Sequence, residues 1–480
     1  MRTTKSVHRL RFVVGILLAA GFTGATNSTA APLFGPSTEY AAGAYPRGVA
    51  IADLNGDGKP DLAVPSYTSG AVSVMLGDGA GGFGAPSSFP TDLYPTWVSI
   101  GDFDADGNLD LVTTNQGAGR NLSTVSVLLG VGDGSFGPKT DYRTGDFPDQ
   151  VAIGDLDADG DLDLATANFE SLYSTVSVLL GNGDGSFGPK TDFHTGQTPA
   201  SVAIGDLNAD GKPDLVTSNW GYNVSVLLGN GDGSFGTVTN YPSVYGNKKC
   251  VALGDFNGDG KLDVGTGTLS GGNALVLLGN GNGSLGTATA FGVGGDPVSV
   301  AIGDLDADGD LDQVTANMTN SVSILRGNGD GSFRPRIDHG VGGTPNAVAI
   351  GDVNGDGMPD LVTSNRNTNT ISVLLNTGPG TLSVGGPTER FELAPPRPNP
   401  FRAGAHIGYA LPVDSPVSLE VFAVSGQHVR TLVRGNMPAG PHEVAWDGAD
   451  DRGRRVSAGI YLYRLRASSF EATQRLVMIP

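Results

Sequence analysis

Between residues 31 and 390 the apolar positions come in short runs with β-branched residues, not at the three- and four-residue intervals of a helix. Gly or Asn interrupts every run. In one stretch the runs fall at 151–155, 163–166, 176–180 and 188–193, reading VAIGD, DLAT, VSVLL and GPKTDF. Each predicts a strand. The same set of four recurs seven times, punctuated by acidic loops whose start-to-start spacings are 49, 53, 51, 49, 49 and 48 residues, a period typical of propeller blades or solenoid units. One four-stranded unit cannot bury both of its faces alone. The predicted fold is therefore all-β, a seven-bladed β-propeller over residues 31–390.

The first segment refines that ring. Leu33-Phe34-Gly35-Pro36-Ser37-Thr38-Glu39-Tyr40 reads like Phe136-Gly137-Pro138-Lys139-Thr140-Asp141-Tyr142, the outer strand of a blade, yet it precedes the first acidic loop. It predicts closure by strand exchange with the last blade, around residues 347–375, leaving no open ladder. Phe83, Phe136, Phe187, Phe235 and Phe333, with Leu285 and Leu382 in the other two units, follow matching Gly-rich turns and read as wedges between blades. Residues 391–400 are Pro-rich, a stiff linker by composition. Beyond them the alternation returns at 407–412, 417–426, 442–448 and 459–467, predicting a small Ig-like β-sandwich over residues 401–480. Trp446, Tyr461 and Tyr463 fit its core or its half-buried strand positions.

The loops between the first two strands of each unit follow D-x-[DN]-x-D-G-x-x-D. Position 1 is Asp53, Asp102, Asp155, Asp206, Asp255, Asp304 and Asp352. Position 3 is Asn55, Asp104, Asp157, Asn208, Asn257, Asp306 and Asn354, and position 5 is Asp57, Asp106, Asp159, Asp210, Asp259, Asp308 and Asp356. Position 9 is Asp61, Asp110, Asp163, Asp214, Asp263, Asp312 and Asp360. Position 7 varies through Lys59, Asn108, Asp161, Lys212, Lys261, Asp310 and Met358, so the backbone carbonyl is the predicted ligand there. Oxygen donors so spaced can wrap a hard cation at ~2.3–2.6 Å, which points to Ca²⁺, about one ion per blade and up to seven. Three or four carboxylates within nine residues would repel strongly without one. An EF-hand would put Glu at position 12 between helices; here strands flank the loop. Turns such as 181–186 carry one acidic residue each and read as turns alone.

Charge follows the loops. The chain has 49 acidic and 29 basic side chains for a formal charge of −20, and 24 of the acidic ones sit at loop positions 1, 3, 5 and 9. Seven divalent ions would bring that to roughly −6. A nucleic-acid partner is excluded by the lack of basic surface. Residues 1–30 carry Lys5, His8, Arg9 and Arg11, the apolar run FVVGILLAAG and small residues ending Ser28-Thr29-Ala30, the pattern of a secretory signal peptide. The expected location is secreted, extracellular or at a bacterial cell surface, with no transmembrane segment in the mature chain, because that run is too short to span a bilayer. Cys250 is the only cysteine and occupies a strand position, so it is expected to be buried.

With VAIGDLNADGKPDL at 202–215 and GDGSFG closing at Gly236, the units resemble the FG-GAP (VCBS-type) repeats of the integrin α-subunit propeller over about residues 33–390. That resemblance implies a seven-bladed propeller, calcium in the loops, and adhesion or ligand binding at or outside the cell surface. All seven units here keep the loop, unlike the integrin propeller. The tail, with NPF at 399–401, HVRTL at 428–432, WDGAD at 446–450 and GIYLYRL at 459–465, resembles the FlgD-like Ig-fold domain and also the type IX sorting domain. It implies secretion or envelope machinery as a partner of residues 401–480.

The expected function is calcium-dependent recognition of a glycan or an extracellular or surface protein, without enzymatic activity. Antiparallel strand order puts the acidic loops on one rim and the variable connections on the other. That other rim gathers Tyr67, Tyr94, Arg120, Phe169, Tyr245, Lys249 and Arg366, with Trp97, Tyr173, Trp220, Tyr222 and Lys248 as the candidate ligand-binding residues. The six histidines lack the spacing of a zinc protease. The alternative is an extracellular carbohydrate-active enzyme, which needs a carboxylate pair; on that rim only Asp146 and Glu170 offer one.

Overall fold

The computed structural model describes residues 33–169, 173–242, 246–378 and 391–479, apart from short gaps at 394–395, 397–400, 403 and 469. The signal-peptide expectation falls outside the described residues. Among the described residues seven four-stranded antiparallel sheets follow one another, then a three-stranded and an eighth four-stranded sheet. In the third blade the strands are Pro148–Gly154, Asp163–Asn168, Thr175–Leu179 and Thr191–His194, close to the predicted runs. The innermost strand starts earlier than its apolar run because the proline, with a register shift after it, already pairs with Asn168.

The innermost strands, from Ala50–Ala52 through Pro148–Gly154 to Pro345–Gly351, each pack beside the next, and the last packs beside the first. The described blades thus form a closed ring. The second strand is buried at every position in all seven blades, because both faces of each sheet meet a neighbour. Polar residues there are paired. Asn168 donates to Ser177 Oγ at 2.9 Å, and Ser177 donates to Asp192 Oδ1 at 2.6 Å, joining strands two, three and four. Asn115–Ser126–Asp141 and Asn317–Ser323–Asp338 repeat the chain of bonds, so the buried amides are satisfied.

Closure follows the predicted strand exchange. Thr38–Ala41 pairs antiparallel with Thr370–Leu374, Thr38 opposite Val373 and Ala41 opposite Thr370. The aromatic wedges interlock around the ring. The third residue of each outer strand meets the wedge of the next blade, as in Phe89–Phe136 at 5.2 Å, Phe193–Phe235 at 5.1 Å and Phe291–Phe333 at 4.9 Å. The expected wedge of the seventh blade, Leu382, lies outside the described residues. Phe34 bridges to Asn376 where Phe83 bridges to Gly77, and it meets His339 at 5.8 Å. The exchanged segment therefore supplies the wedge as well as the strand.

The C-terminal sandwich packs Glu392–Leu393, Ala405–Leu411 and Gly440–Trp446 against His428–Met437, Ser415–Ala423, Gly459–Ala467 and Phe470–Met478. Trp446, Tyr409, Tyr463 and Phe401 fill its core. Two of the buried polar tips are bonded, Trp446 Nε1 to Ala449 O at 2.8 Å and Tyr463 Oη to Gln474 Oε1 at 2.7 Å. Glu392–Leu393 pairs with Tyr409 and Ala410, and Leu393 is buried. The first strand of the sandwich thus lies within the 391–400 segment, ahead of residue 401, because an apolar Leu393 has a core to enter. Among the described residues no helix is long and apolar enough to cross a membrane.

Candidate metal loops and the opposite rim

Each acidic loop is shaped by its own carboxylates. Asp53 accepts the amides of Asp57 at 3.1 Å and Gly58 at 2.7 Å, Asn55 Oδ1 accepts Asp57 N at 3.0 Å, and Asp57 Oδ1 accepts Lys59 N at 3.0 Å. Side-chain oxygens are thereby turned inward on the loop axis. The glycine at position 6 holds φ between +81° and +95° in all seven loops, a region that costs glycine nothing. Position 4 is also left-handed, and in four loops it is alanine, at Ala105, Ala158, Ala209 and Ala307. The surrounding bonds hold that strain.

Position 9 has a role that spacing alone did not disclose. Asp61, Asp110, Asp163, Asp214, Asp263, Asp312 and Asp360 are all 0 % exposed. One oxygen of each accepts the position-2 amide and the other accepts an amide from the end of the third strand; for Asp163 these are Leu156 N at 2.6 Å and Gly181 N at 2.7 Å. The residue ties the two turns of its rim together. Burial pushes the carboxyls of Asp110, Asp163 and Asp360 up to about 6 and that of Asp312 to about 7, against the pull of those amides. Asp163→Asn should leave one buried amide facing an NH₂ group and cost ~1–3 kcal/mol. Chemical denaturation of the variant checks this, and a loss under ~0.5 kcal/mol would mean that the tie is dispensable.

The donor sets fit a hard cation. Carboxylate oxygens of Asp102, Asp104 and Asp110 lie within 4.8 Å of one another, as do those of Asp155, Asp157 and Asp163, and of Asp304, Asp306 and Asp308. Asp102 Oδ1, Asp155 Oδ1 and Asp306 Oδ1 are buried without a hydrogen-bond partner. Such an oxygen is costly unless something positive faces it. At position 7 the side chains turn to their neighbours: Lys261 Nζ reaches Asp259 at 2.9 Å, Asn108 Nδ2 reaches Asp106 at 2.9 Å, and Met358 is buried. In the 3–4 turns Asp184 Oδ1 accepts both the amide and the hydroxyl of Ser186, so these are Asx-turns, as expected.

The opposite rim carries the variable connections. Tyr173 is 63 % exposed and Tyr222 56 %, and Trp220 stands edge-on to Phe169 at 5.4 Å. Tyr45, Tyr67 and Tyr94 touch in sequence, at 5.8 and 5.1 Å. Trp97 does not join them. The register shift between Pro95 and Trp97 leaves its indole half-buried against the cores on both sides of its strand. The side chain of Lys248 and all of Glu170 and Tyr245 lie outside the described residues, while Asp146 Oδ1 braces a turn by accepting Asn121 N at 2.6 Å.

The residue after the proline in the repeated P-x-x opening of the innermost strands, a proline replaced by Lys248 in the fifth blade, sits at the channel mouth on this rim. Asp149 of the third blade pairs there with Lys249 of the fifth and lies 3.9 Å from Arg47 before the first. Blades two apart can meet only across the mouth. Lys249 also lies over Phe169 at 5.1 Å and Arg47 over Tyr67 at 4.6 Å. Aligning that one repeat position, which reads Arg47, Thr96, Asp149, Ala200, Lys249, Val298 and Asn346, shows the charged trio in sequence. Cys250 beside it is buried, and burial pushes its thiol up to about 12.

No curated protein matches the chain. Among solved structures, BBS1N in complex with ARL6DN is similar at 11% identity and TM-score 0.51, covering 72% of this chain and 97% of that one. This likeness concerns the fold alone. An Agrocybe aegerita lectin that recognises non-reducing terminal N-acetylglucosamine is 22% identical over 60% of this chain and 79% of its own, with TM-score 0.43. PorZ, a surface component of the type-IX secretion system of Porphyromonas gingivalis, is 15% identical over 88% of this chain and 58% of its own, with TM-score 0.42. The FlgD Ig-like domain matches residues 402–470. The FG-GAP-like repeat matches residues 53–113, 155–217, 206–266, 255–315 and 304–363, each match running from one acidic loop through the next. Through those matches the chain belongs to the FG-GAP-like repeat family.

Proposed function

We propose that the chain is a secreted or cell-surface recognition protein whose propeller holds calcium on one rim and binds a glycan or a protein on the other, without turning it over. The observation that carries this reading is the division of labour between the rims. Each of the seven acidic loops repeats one donor pattern, while the opposite rim differs blade by blade and exposes Tyr94, Tyr173, Trp220 and Tyr222. Aromatic faces ringed by polar groups suit the apolar faces of sugar rings and the anchors of protein interfaces. Calcium in the loops supplies countercharge; side chains at positions 1, 3, 5 and 9 and the position-7 carbonyl would hold it, with position 9 also tying the loop to the 3–4 turn. The FlgD-like domain would contact envelope machinery.

The test is binding to a glycan array and to cell-envelope protein, with the Trp220→Ala, Tyr222→Ala double variant as control. The variant should lose at least tenfold in affinity, because large aromatic anchors are worth ~2 kcal/mol or more. Its melting temperature should fall by only a few degrees, since Tyr222 is exposed and Trp220 gives up mainly its contact with Phe169. Undiminished binding by the variant would move the site off this rim.

A further inference from the structure

We propose that the sixth acidic loop takes no calcium: two arginines of its own blade hold it, and they keep the seam where the chain ends meet closed when calcium is withdrawn. This rests on the calcium reading of the other loops. The third and sixth loops make the comparison sharp. Residues 155–163 and 304–312 have the same nine-residue sequence, DLDADGDLD. What differs is the neck of the adjoining 3–4 turn.

In the third blade that neck is Leu180 and Gly188, with Gly188 N donating to Leu180 O at 2.8 Å; the same Leu–Gly pair stands in five other blades, the seventh completing it as Leu375 with Gly35. In the sixth blade the pair is Arg326 and Arg334, joined by the same bond at 2.8 Å. Both side chains turn to the loop. Arg334 lies 2.8 Å from Asp308 Oδ2 and 3.3 Å from Asp306 Oδ2, and Arg326 lies 3.5 Å from that same Asp306 oxygen. Asp306 is only 4 % exposed. A carboxylate so buried requires a countercharge, and two guanidinium groups that never lose their proton supply it through Oδ2, while Oδ1 keeps no hydrogen-bond partner. Asp304, Asp306 and Asp308 still bring oxygens within 4.8 Å of one another. A divalent ion among them would sit beside two fixed positive charges, which the third loop lacks.

The position of this loop gives the substitution its consequence. Leu305 packs with Leu33 and Phe34 in one core cluster, and its carbonyl accepts Asn376 Nδ2 at 2.8 Å. Asn376 is bridged to Phe34, and Thr377 N donates to Leu33 O at 2.9 Å. The sixth loop is thus the socket into which both ends of the ring fit. A loop locked by its own cations keeps that socket shaped at any calcium concentration.

Calcium titration of the whole chain, counted by native mass spectrometry, decides the matter. The wild type should saturate at six ions. Arg326→Leu with Arg334→Gly should raise the count to seven, and Leu180→Arg with Gly188→Arg in the third blade should lower it to five, which keeps the test open if the first variant does not fold. Seven ions in the wild type would overturn this inference alone; none would overturn the calcium reading and this one with it. Hydrogen exchange over Thr38–Ala41 and Thr370–Leu374 should stay slow in calcium-stripped wild type. A seam that opens on stripping would overturn the lock.

Discussion

Stripping calcium should lower the melting temperature by an amount on the order of 20 °C. A ligand that binds only the native state stabilises it by about 2.7 kcal/mol for each site held at a hundredfold its Kd. With several loops loaded, the sum is comparable to the whole stability of an ordinary domain, and ~1 kcal/mol is worth a degree or two in a chain of this size. The effect should depend on pH in a definite direction. Asp110, Asp163, Asp312 and Asp360 have carboxyls raised by burial. Folded without metal, these groups hold protons more tightly than when unfolded. Their contribution is present below about pH 4 and is lost as the pH climbs through about 6 to 7, so the metal-free ring weakens towards neutrality. Calcium needs the ionised carboxylates and acts in the opposite sense. The gap between loaded and stripped melting temperatures should therefore widen from pH 4.5 to pH 7.5. Calorimetry on the two forms across that range measures it, and a constant or narrowing gap would contradict the loop chemistry.

How much of this was legible beforehand depended on the range of the interaction involved. The blade strands, the loops and the 3–4 turns are written locally, by β-branched runs and by Asp, Asn and Gly at fixed offsets, and each formed where the pattern placed it. Thr38–Ala41 was also legible, because its sequence repeats an outer strand already present in other blades. What escaped was set by geometry between repeats. The Trp97 indole follows a register shift that recurs after the opening proline of the innermost strands, but its effect on side-chain direction exists only once the strands pair, so a residue expected on the rim went into the space between blades. Phe34 takes a wedge position beside the seventh blade, which counting along the repeat does not reveal because the residue comes from the exchanged segment. The Asp149, Lys249 and Arg47 trio joins residues about a hundred positions apart, a contact that needs the ring closed before it exists. The double tie made by the position-9 aspartates needed the 3–4 turn to be placed beside the loop. Leu393 shows the same limit at the domain boundary, where composition suggested a linker and a core contact decided otherwise.

Deleting residues 31–42 should drive the protein into new dimers or precipitate that the full chain does not form, with the largest structural effect of any terminal change. The segment fills two places at once. Thr38–Ala41 covers the edge of Thr370–Leu374, and Leu33 and Phe34, 2 % and 1 % exposed, plug the core between the sixth and seventh blades. Without the strand, a row of unpaired backbone groups faces solvent and can pair with another chain. Without the plug, Leu305, Val348 and Leu361 lose their cover. The two contributions separate in a milder variant. Phe34→Ala keeps the strand and removes only the wedge, so it should cost ~3–5 kcal/mol while the protein remains monomeric. Light scattering and thermal unfolding on both forms distinguish edge from wedge. A deletion that elutes and melts like the full chain would show that the ring is closed by something other than Thr38–Ala41.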